Sequence, residues 1–306
     1  MYQKIVDLCN EIIEFCNNTN NITMKTKIQT RLAEVHYINE AHTLAIDLVT
    51  KTLIDLKRYE DNLGLIALQL LESKIHYKTK GTSKAKASLT SVKTLCTKVY
   101  IEPKLQAKVD MHAGILAAYE KDYNLAYSYF YESFDVFNIP NIKDNEKALK
   151  AMQYMILCKI MNGSMDDINN IIIGKKGQKL YGPPIKAFES IVEAVKLKSV
   201  KMLKDNILKN QEHFLQDDFI VHHLDNLKNE LIEKNLIKII EPYSVVQIEY
   251  ITGLIGLQLY EITMKISQMI LDKKINGILD QGRGCLIIYD EVSHNVKIIK
   301  LYFFLN

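Results

Sequence analysis

From Tyr2 to about Asn210 the chain keeps returning to one helical period and keeps breaking it. The interruptions fall at Asn17-Asn18-Thr19-Asn20, Asn39-Glu40, Lys80-Gly81-Thr82, Glu102-Pro103, Lys121-Asp122, Pro140-Asn141, Asn162-Gly163 and from Gly174 to Pro184. Between them lie segments of about 12 to 20 residues, a usual globular helix length. A second regularity runs beneath the first. Ala45 is followed one helical turn later by Val49, Ala85 by Leu89, and Ala126 by Phe130, and the three alanines recur at nearly equal intervals. A small residue lets a neighbouring helix approach, and a large apolar residue one turn later fills the space beside it. A chain with this pattern is expected to stack similar helical hairpins.

The offsets match tetratricopeptide-type hairpins; the interval between alanines is roughly 40 residues against a standard unit of ~34, so these are slightly overlong and degenerate copies. The best copy combines Gly114 with Ala126, Phe130 and the small Ser133. One hairpin cannot cover its own apolar face, so the stack must share an elongated core and leave a long surface for partners. The aromatic run Tyr123, Tyr127, Tyr129, Phe130, Tyr131, Phe134 and Phe137 reads as packing between repeats. No flexible linker follows, so the repeats are expected to run directly into the C-terminal part.

That part changes character. Ser244 with Gln247 three residues on is spaced as a capping box, and Ile248, Ile251 and Ile255 share one helical face. Gly253 and Gly256 are read as bracketing a turn, and Ile262, Ile266, Met269 and Ile270 form the next apolar face before Lys273 and Lys274. Ile278–Gln281 and Cys285–Tyr289 are short apolar runs joined by Gly282-Arg283-Gly284, a hairpin whose glycines supply positive φ. Upstream, Phe219–Lys234 reads as a helix and Asn235–Ile240 as a short strand. The expected fold is mainly α: a TPR-like helical-repeat solenoid over 1–210, a winged helix over 211–291, and an atypical tail over 292–306.

Composition restricts function more than it specifies it. With 48% hydrophobic and 25% charged residues and a net charge of +3, the chain lacks the basic excess that counterion-release binding to nucleic acid requires. The second helix of the expected winged helix carries Glu261, Lys265, Gln268, Asp272, Lys273 and Lys274, a mixed set with no arginine; Arg283 at the wing tip is a single suitable contact. Gly174-Lys175-Lys176-Gly177 imitates a phosphate-clamping loop, but Gly182-Pro183-Pro184 would break the helix that such a loop must open. Five scattered cysteines without a C-x-x-C pair fit buried thiols in a reducing compartment. His222 and His223 are adjacent, so on a helix they point about 100° apart and cannot easily share an ion. No nucleophile, phosphate-loop or zinc-protease motif occurs, and no apolar run is long enough to span a bilayer. Neither enzyme nor cofactor is expected, and neither nucleic acid nor membrane is expected as a partner.

Helical repeats running into a winged helix is the architecture of PCI domains. The runs Gln69–Lys74, Pro103–Ala107, Ala126–Glu132, Leu157–Met161, Ile240–Pro242, Val246–Glu249, Ser267–Lys274 and Gly277–Gly282 resemble those of PCI-domain subunits of the proteasome lid, across nearly the whole chain. That resemblance implies a non-catalytic scaffold in ubiquitin-dependent degradation, in cytoplasm and nucleus. Its winged helix would join those of other PCI subunits, and its repeat arm would reach toward the ATPase ring and core particle. The candidate contact set is Ile278, Leu279, Cys285, Leu286, Ile287, Ile288 and Tyr289, because the outer strand of an apolar hairpin leaves backbone groups open to a neighbour. The alternatives are a PCI subunit of another assembly, the signalosome or a translation initiation factor, and a winged-helix nucleic-acid binder. Three departures from the family pattern stand out. Members usually carry further repeats before the position of Met1. Gln258 occupies a position where the family has a serine cap. After Glu291 the family continues into a helix that bundles with other lid subunits, whereas this chain ends Lys300-Leu301-Tyr302-Phe303-Phe304-Leu305-Asn306.

Overall fold

A computed structural model describes residues 2–289 apart from 20, 216 and 281; the expected atypical tail, 292–306, lies outside the described residues. The first eight helices are α1 (Tyr2–Asn18), α2 (Ile22–Ile38), α3 (His42–Arg58), α4 (Asn62–Lys78), α5 (Thr82–Lys98), α6 (Pro103–Tyr119), α7 (Tyr123–Phe137) and α8 (Asn145–Met161). Their starts recur at a nearly constant interval, half that of the alanines, so each repeat contains two helices.

The turns explain the rhythm. Glu40, Glu60, Lys80 and Lys121 take left-handed φ of 60°, 53°, 60° and 66°. Behind each, the next amide reaches back past the end of the helix, as from Asp61 to the Leu56 carbonyl at 3.3 Å and from Gly81 to that of His76 at 2.8 Å. This is the Schellman closure of a helix C-terminus. Asp61 and Asp122 then cap the following helices by accepting from the Gly64 amide at 3.0 Å and the Leu125 amide at 3.1 Å. The turn at Glu60 carries no glycine or proline and is absent from the sequence-derived breaks; the Asp61 cap is the signal that marks it.

The small–large pairs lie where close packing needs them. Ala45, Val49, Ala85, Leu89, Ala126 and Phe130 are all buried. α4 serves two cores at once. Leu65, Leu68, Leu71 and Ile75 pack with Ala45 and Val49, whereas Ile66 and Leu70 pack with Ala85, Leu89 and Val109. Buried hydroxyls pin the two helices of a hairpin together: Ser73 Oγ donates to the Ala85 carbonyl at 2.6 Å, and Ser133 Oγ to that of Ala107 at 3.0 Å. In the aromatic run, Phe130, Phe134 and Phe137 are buried, whereas Tyr127 stacks on Tyr131.

The chain divides into two compact units, one running from the N-terminus through Asn162 and including Asn170–Leu180, the other comprising Gly163–Asn169 and the chain from Tyr181 on. Two short helices follow the repeats, α9 (Asp166–Ile173) and α10 (Lys175–Gln178). The phosphate-loop imitation is a packing turn: a Cβ on Gly177 would sit 2.3 Å from the Ile171 carbonyl oxygen, and Lys176 bonds Asp135 at 2.7 Å.

The second unit contains α11 (Pro183–Lys196), α12 (Val200–Lys209), α13 (Gln211–Phe214), α14 (Asp218–Ile240), β1 (Val245–Gln247), α15 (Ile248–Ile255), α16 (Leu259–Leu271), β2 (Gly277–Asp280) and β3 (Cys285–Ile288). From α14 onward this is a winged helix. Three local expectations are corrected. Asn235–Ile240 is no strand but the end of α14, because Ile232, Leu236 and Ile240 continue a buried stripe at helical spacing and that burial overrides the β-propensity of isoleucine. Ser244 does not cap a helix: Val245 and Val246 extend into β1, Val246 is buried, and α15 opens at Ile248 with Gln247 at its cap making no side-chain cap bond. Gly253 lies inside α15; only Gly256, at φ 73°, makes the turn.

Candidate assembly interface

The expected two-stranded hairpin is a three-stranded sheet of order β1-β3-β2, antiparallel throughout. At the wing tip Asp280 Oδ1 accepts from the amides of Gly282 at 3.0 Å and Arg283 at 3.1 Å, and Gly284 supplies the positive φ of 63°. Gly282 does not take a left-handed φ, since the side chain of Asp280 holds its amide instead.

The register assigns every ladder group. Ile288 donates to the Ser244 carbonyl at 2.8 Å and Ile248 to that of Gly284 at 2.9 Å, so the even-numbered residues of β3 bond β1. Tyr289 donates to the Asn276 carbonyl at 2.8 Å, so the odd-numbered ones bond β2. β3 therefore has no open side. The outward backbone groups belong to Gly277 and Leu279 on β2 and to Val245 and Gln247 on β1, by the alternation of an antiparallel ladder.

This arrangement sorts the candidate contact residues. Cys285 and Leu286 are buried in the module's own core. Ile287 and Ile288 are half-buried on the central strand. Ile278 is 55% and Tyr289 52% exposed, and Leu279 is half-buried on the open β2 edge. The sequence reading missed the β1 edge, where Val245 is 54% exposed; a Val-Val pair directly after the Glu241-Pro242 turn was the available signal. Beside β1 lies a cleft of about 340 Å³ lined by Gln247, Glu249, Leu259, Thr263 and Arg283. Tyr250, Leu254, Tyr260 and Met264 add further exposed apolar surface on α15 and α16.

Three charges of the second helix's set, Glu261, Lys265 and Lys274, are engaged within the unit. Glu233 of α14 holds Lys265 at 2.8 Å and Lys274 at 2.5 Å, and Lys204 holds Glu261 at 3.0 Å. Burial alone would raise the Glu233 carboxyl, but hydrogen bonds from the two lysines outweigh it and hold the group below its ordinary range. Such pairing removes cations that a groove-reading helix would direct at phosphates. Of the histidine pair, His222 is exposed and His223 is buried, with their ring centroids 5.3 Å apart. Burial, followed by the neighbouring His222, pushes His223 down to about 4. Among the described residues no cluster of His, Cys, Asp and Glu has the makings of a metal site.

Residues 200–290, which include both sheet edges, match the PCI domain. Over 94% of its length the chain is 39% identical to the 26S proteasome non-ATPase regulatory subunit 11 homolog of Arabidopsis thaliana, covering 68% of that protein. The chain belongs to the 26S proteasome non-ATPase regulatory subunit 11 family. The subunit 11 of Dictyostelium discoideum is likewise 39% identical, with 94% of this chain and 69% of that protein covered. The probable 26S proteasome regulatory subunit rpn6 of Schizosaccharomyces pombe is 37% identical, with 94% and 68% covered. The fold is also similar to that of BtubC (BKLC) from P. vanneervenii, with a TM-score of 0.51 at 10% identity over 76% of this chain and 92% of that one.

Proposed function

We propose that the protein is a non-catalytic scaffold subunit of the 26S proteasome regulatory-particle lid, supporting its assembly and thereby ubiquitin-dependent degradation. The observation that carries this reading is 39% identity along 94% of the chain to proteins of that name, so the repeats and the winged helix are matched together. On this reading the partners are proteasome subunits. Neighbouring PCI subunits meet the winged helix by pairing with the open edge of β2 at Gly277 and Leu279, beside the exposed side chains of Ile278 and Tyr289, or with that of β1; strand addition of this kind supplies main-chain bonds and register together. Ile287 and Ile288 support the edge from the central strand, and Cys285 and Leu286 from the core. The repeat arm faces the ATPase ring and core particle. No helix among the described residues is long and apolar enough to cross a membrane, and the proposed location is the cytoplasm and nucleus, where lid subunits work.

Affinity purification of the tagged chain from its own cells tests the reading. Co-purification of lid subunits in stable proportion is the expected result. Recovery of the chain free of every proteasome subunit overturns it.

A further inference from the structure

Three helices of the repeat unit turn lysines toward one cavity of about 220 Å³. Lys74 comes from α4, Lys108 from α6, and Lys147 and Lys150 from α8, around apolar surface that includes the half-buried Met111 and Ile115. Lys74 and Lys147 are half-buried in the throat; Lys108 and Lys150 are exposed at the rim. Of the nearby carboxylates, Glu34 bonds Arg31 at 2.8 Å, and Asp144 is bonded by Lys147. Lys74 and Lys108 form no ion pair among the described residues. Burial and then the field of Lys108 hold the Lys74 ammonium below its ordinary value, with Glu34 opposing and Lys147 adding to the shift. His112, in the wall, is driven down to about 3 by burial and then by Lys74, so it adds no charge and serves as a neutral partner of Ser73. Like charges gathered around a partly desolvated concavity repel one another, and a carboxylate entering it relieves that repulsion.

We propose that this cavity docks an acidic peptide segment of a partner protein, its carboxylates meeting Lys74 and Lys108 while an adjacent apolar side chain rests on Met111 and Ile115. Charge complementarity selects an anion, and the apolar floor selects a peptide over bare phosphate. This inference is independent of lid membership.

Fluorescence anisotropy of the full chain with a fluorescein-labelled Glu-Glu-Phe-Glu-Glu peptide tests it. Saturable binding at about 50 mM salt that weakens at about 150 mM is expected, since partly exposed charges are screened. Lys74→Gln with Lys108→Gln should reduce affinity at least about tenfold, the effect of removing ~1.4 kcal/mol of interaction. Lys51→Gln with Lys57→Gln removes equal charge from exposed positions of α3 and should leave affinity unchanged. Replacing phenylalanine by glycine in the peptide should weaken binding severalfold. Lack of binding by the native chain, equal loss in both double variants, or indifference to the phenylalanine overturns the proposal. So does displacement of the peptide by an equimolar oligonucleotide or by inorganic phosphate. Thermal melts establish that the variants fold; if the Lys74 pair does not, Lys108→Gln alone, at the exposed rim, takes its place with an expected loss of at least severalfold.

Discussion

The ring of Phe130 lies against the backbone of Gly114: a Cβ built on Gly114 would come within 2.6 Å of the phenyl Cε1 and 2.8 Å of Cδ1. Both residues are in helices, so the contact sets how closely α6 and α7 approach. In an open helix Gly→Ala gains up to about 1 kcal/mol of propensity. Here the added methyl meets a fully buried ring, and overpacking of this kind costs about 1–3 kcal/mol. Gly114→Ala should therefore destabilise the repeat unit by up to about 2 kcal/mol net in urea unfolding. In a Phe130→Leu background the clash is relieved and the same change should become neutral or stabilising. An equal cost in both backgrounds would show that this contact is not responsible.

The repeats were legible because close packing leaves residue-level marks: a glycine opposite a phenylalanine, and Ala45, Ala85 and Ala126 recurring at near-equal intervals against helices that must come near. Turn chemistry was partly legible. Gly81 and Pro103 mark their breaks, but Glu60 takes the left-handed conformation with neither residue type beside it. The sheet was least legible. The strand Val245–Gln247 is too short to show alternation, and the Ser244/Gln247 spacing satisfied a helix rule that pairing with β3 overrode. That error carried into the interface. With two strands β3 has an open side; with three, the open backbone moves to Leu279 and to Gln247, a residue outside the original contact set.

The relocated edge yields a substitution that leaves the sheet's own bonds intact. Gln247 has φ of −77° and ψ of 136°, within reach of proline, and its amide points away from β3. Gln247→Pro should keep the melting temperature within a few degrees while denying a neighbouring strand one donor on the β1 edge. If β1 is the docking edge, lid subunits recovered with the tagged variant should fall at least severalfold. Undiminished recovery would eliminate β1 and direct the test to Leu279→Pro on β2.

Glu60 is a place where the fold tolerates local strain. A non-glycine residue in the left-handed region costs roughly 1–2 kcal/mol, and the entropy that glycine loses on folding returns about 0.5–1 kcal/mol of that. Glu60→Gly is therefore expected to stabilise the repeat unit by about 0.5–1 kcal/mol, read as a higher urea midpoint at unchanged slope. The carboxylate of Glu60 is exposed, so little else is lost with it. A lower midpoint would mean that the side chain makes a contribution larger than the backbone strain.

Asp110 gives the repeat unit a pH dependence of its own. It is buried, and burial, followed by the field of Glu132, raises its carboxyl from 3.8 to about 6 against the opposing hydrogen bond from Gln106 at 2.9 Å and the field of Lys93. A group whose folded pKa is raised contributes stability that is complete below the unfolded value and lost as pH rises through the folded one. Ionised at neutral pH, Asp110 is thus a liability that its neutral form is not. Asp110→Asn retains an oxygen for Gln106 and stays uncharged at every pH. Relative to the native chain it should stabilise by about 1–3 kcal/mol near pH 7.5, and this advantage should fade across the interval from about 6 to about 4. Urea unfolding of both proteins at the two ends of that interval measures the difference directly. An advantage of the same size at both ends would assign the effect to packing instead of ionisation.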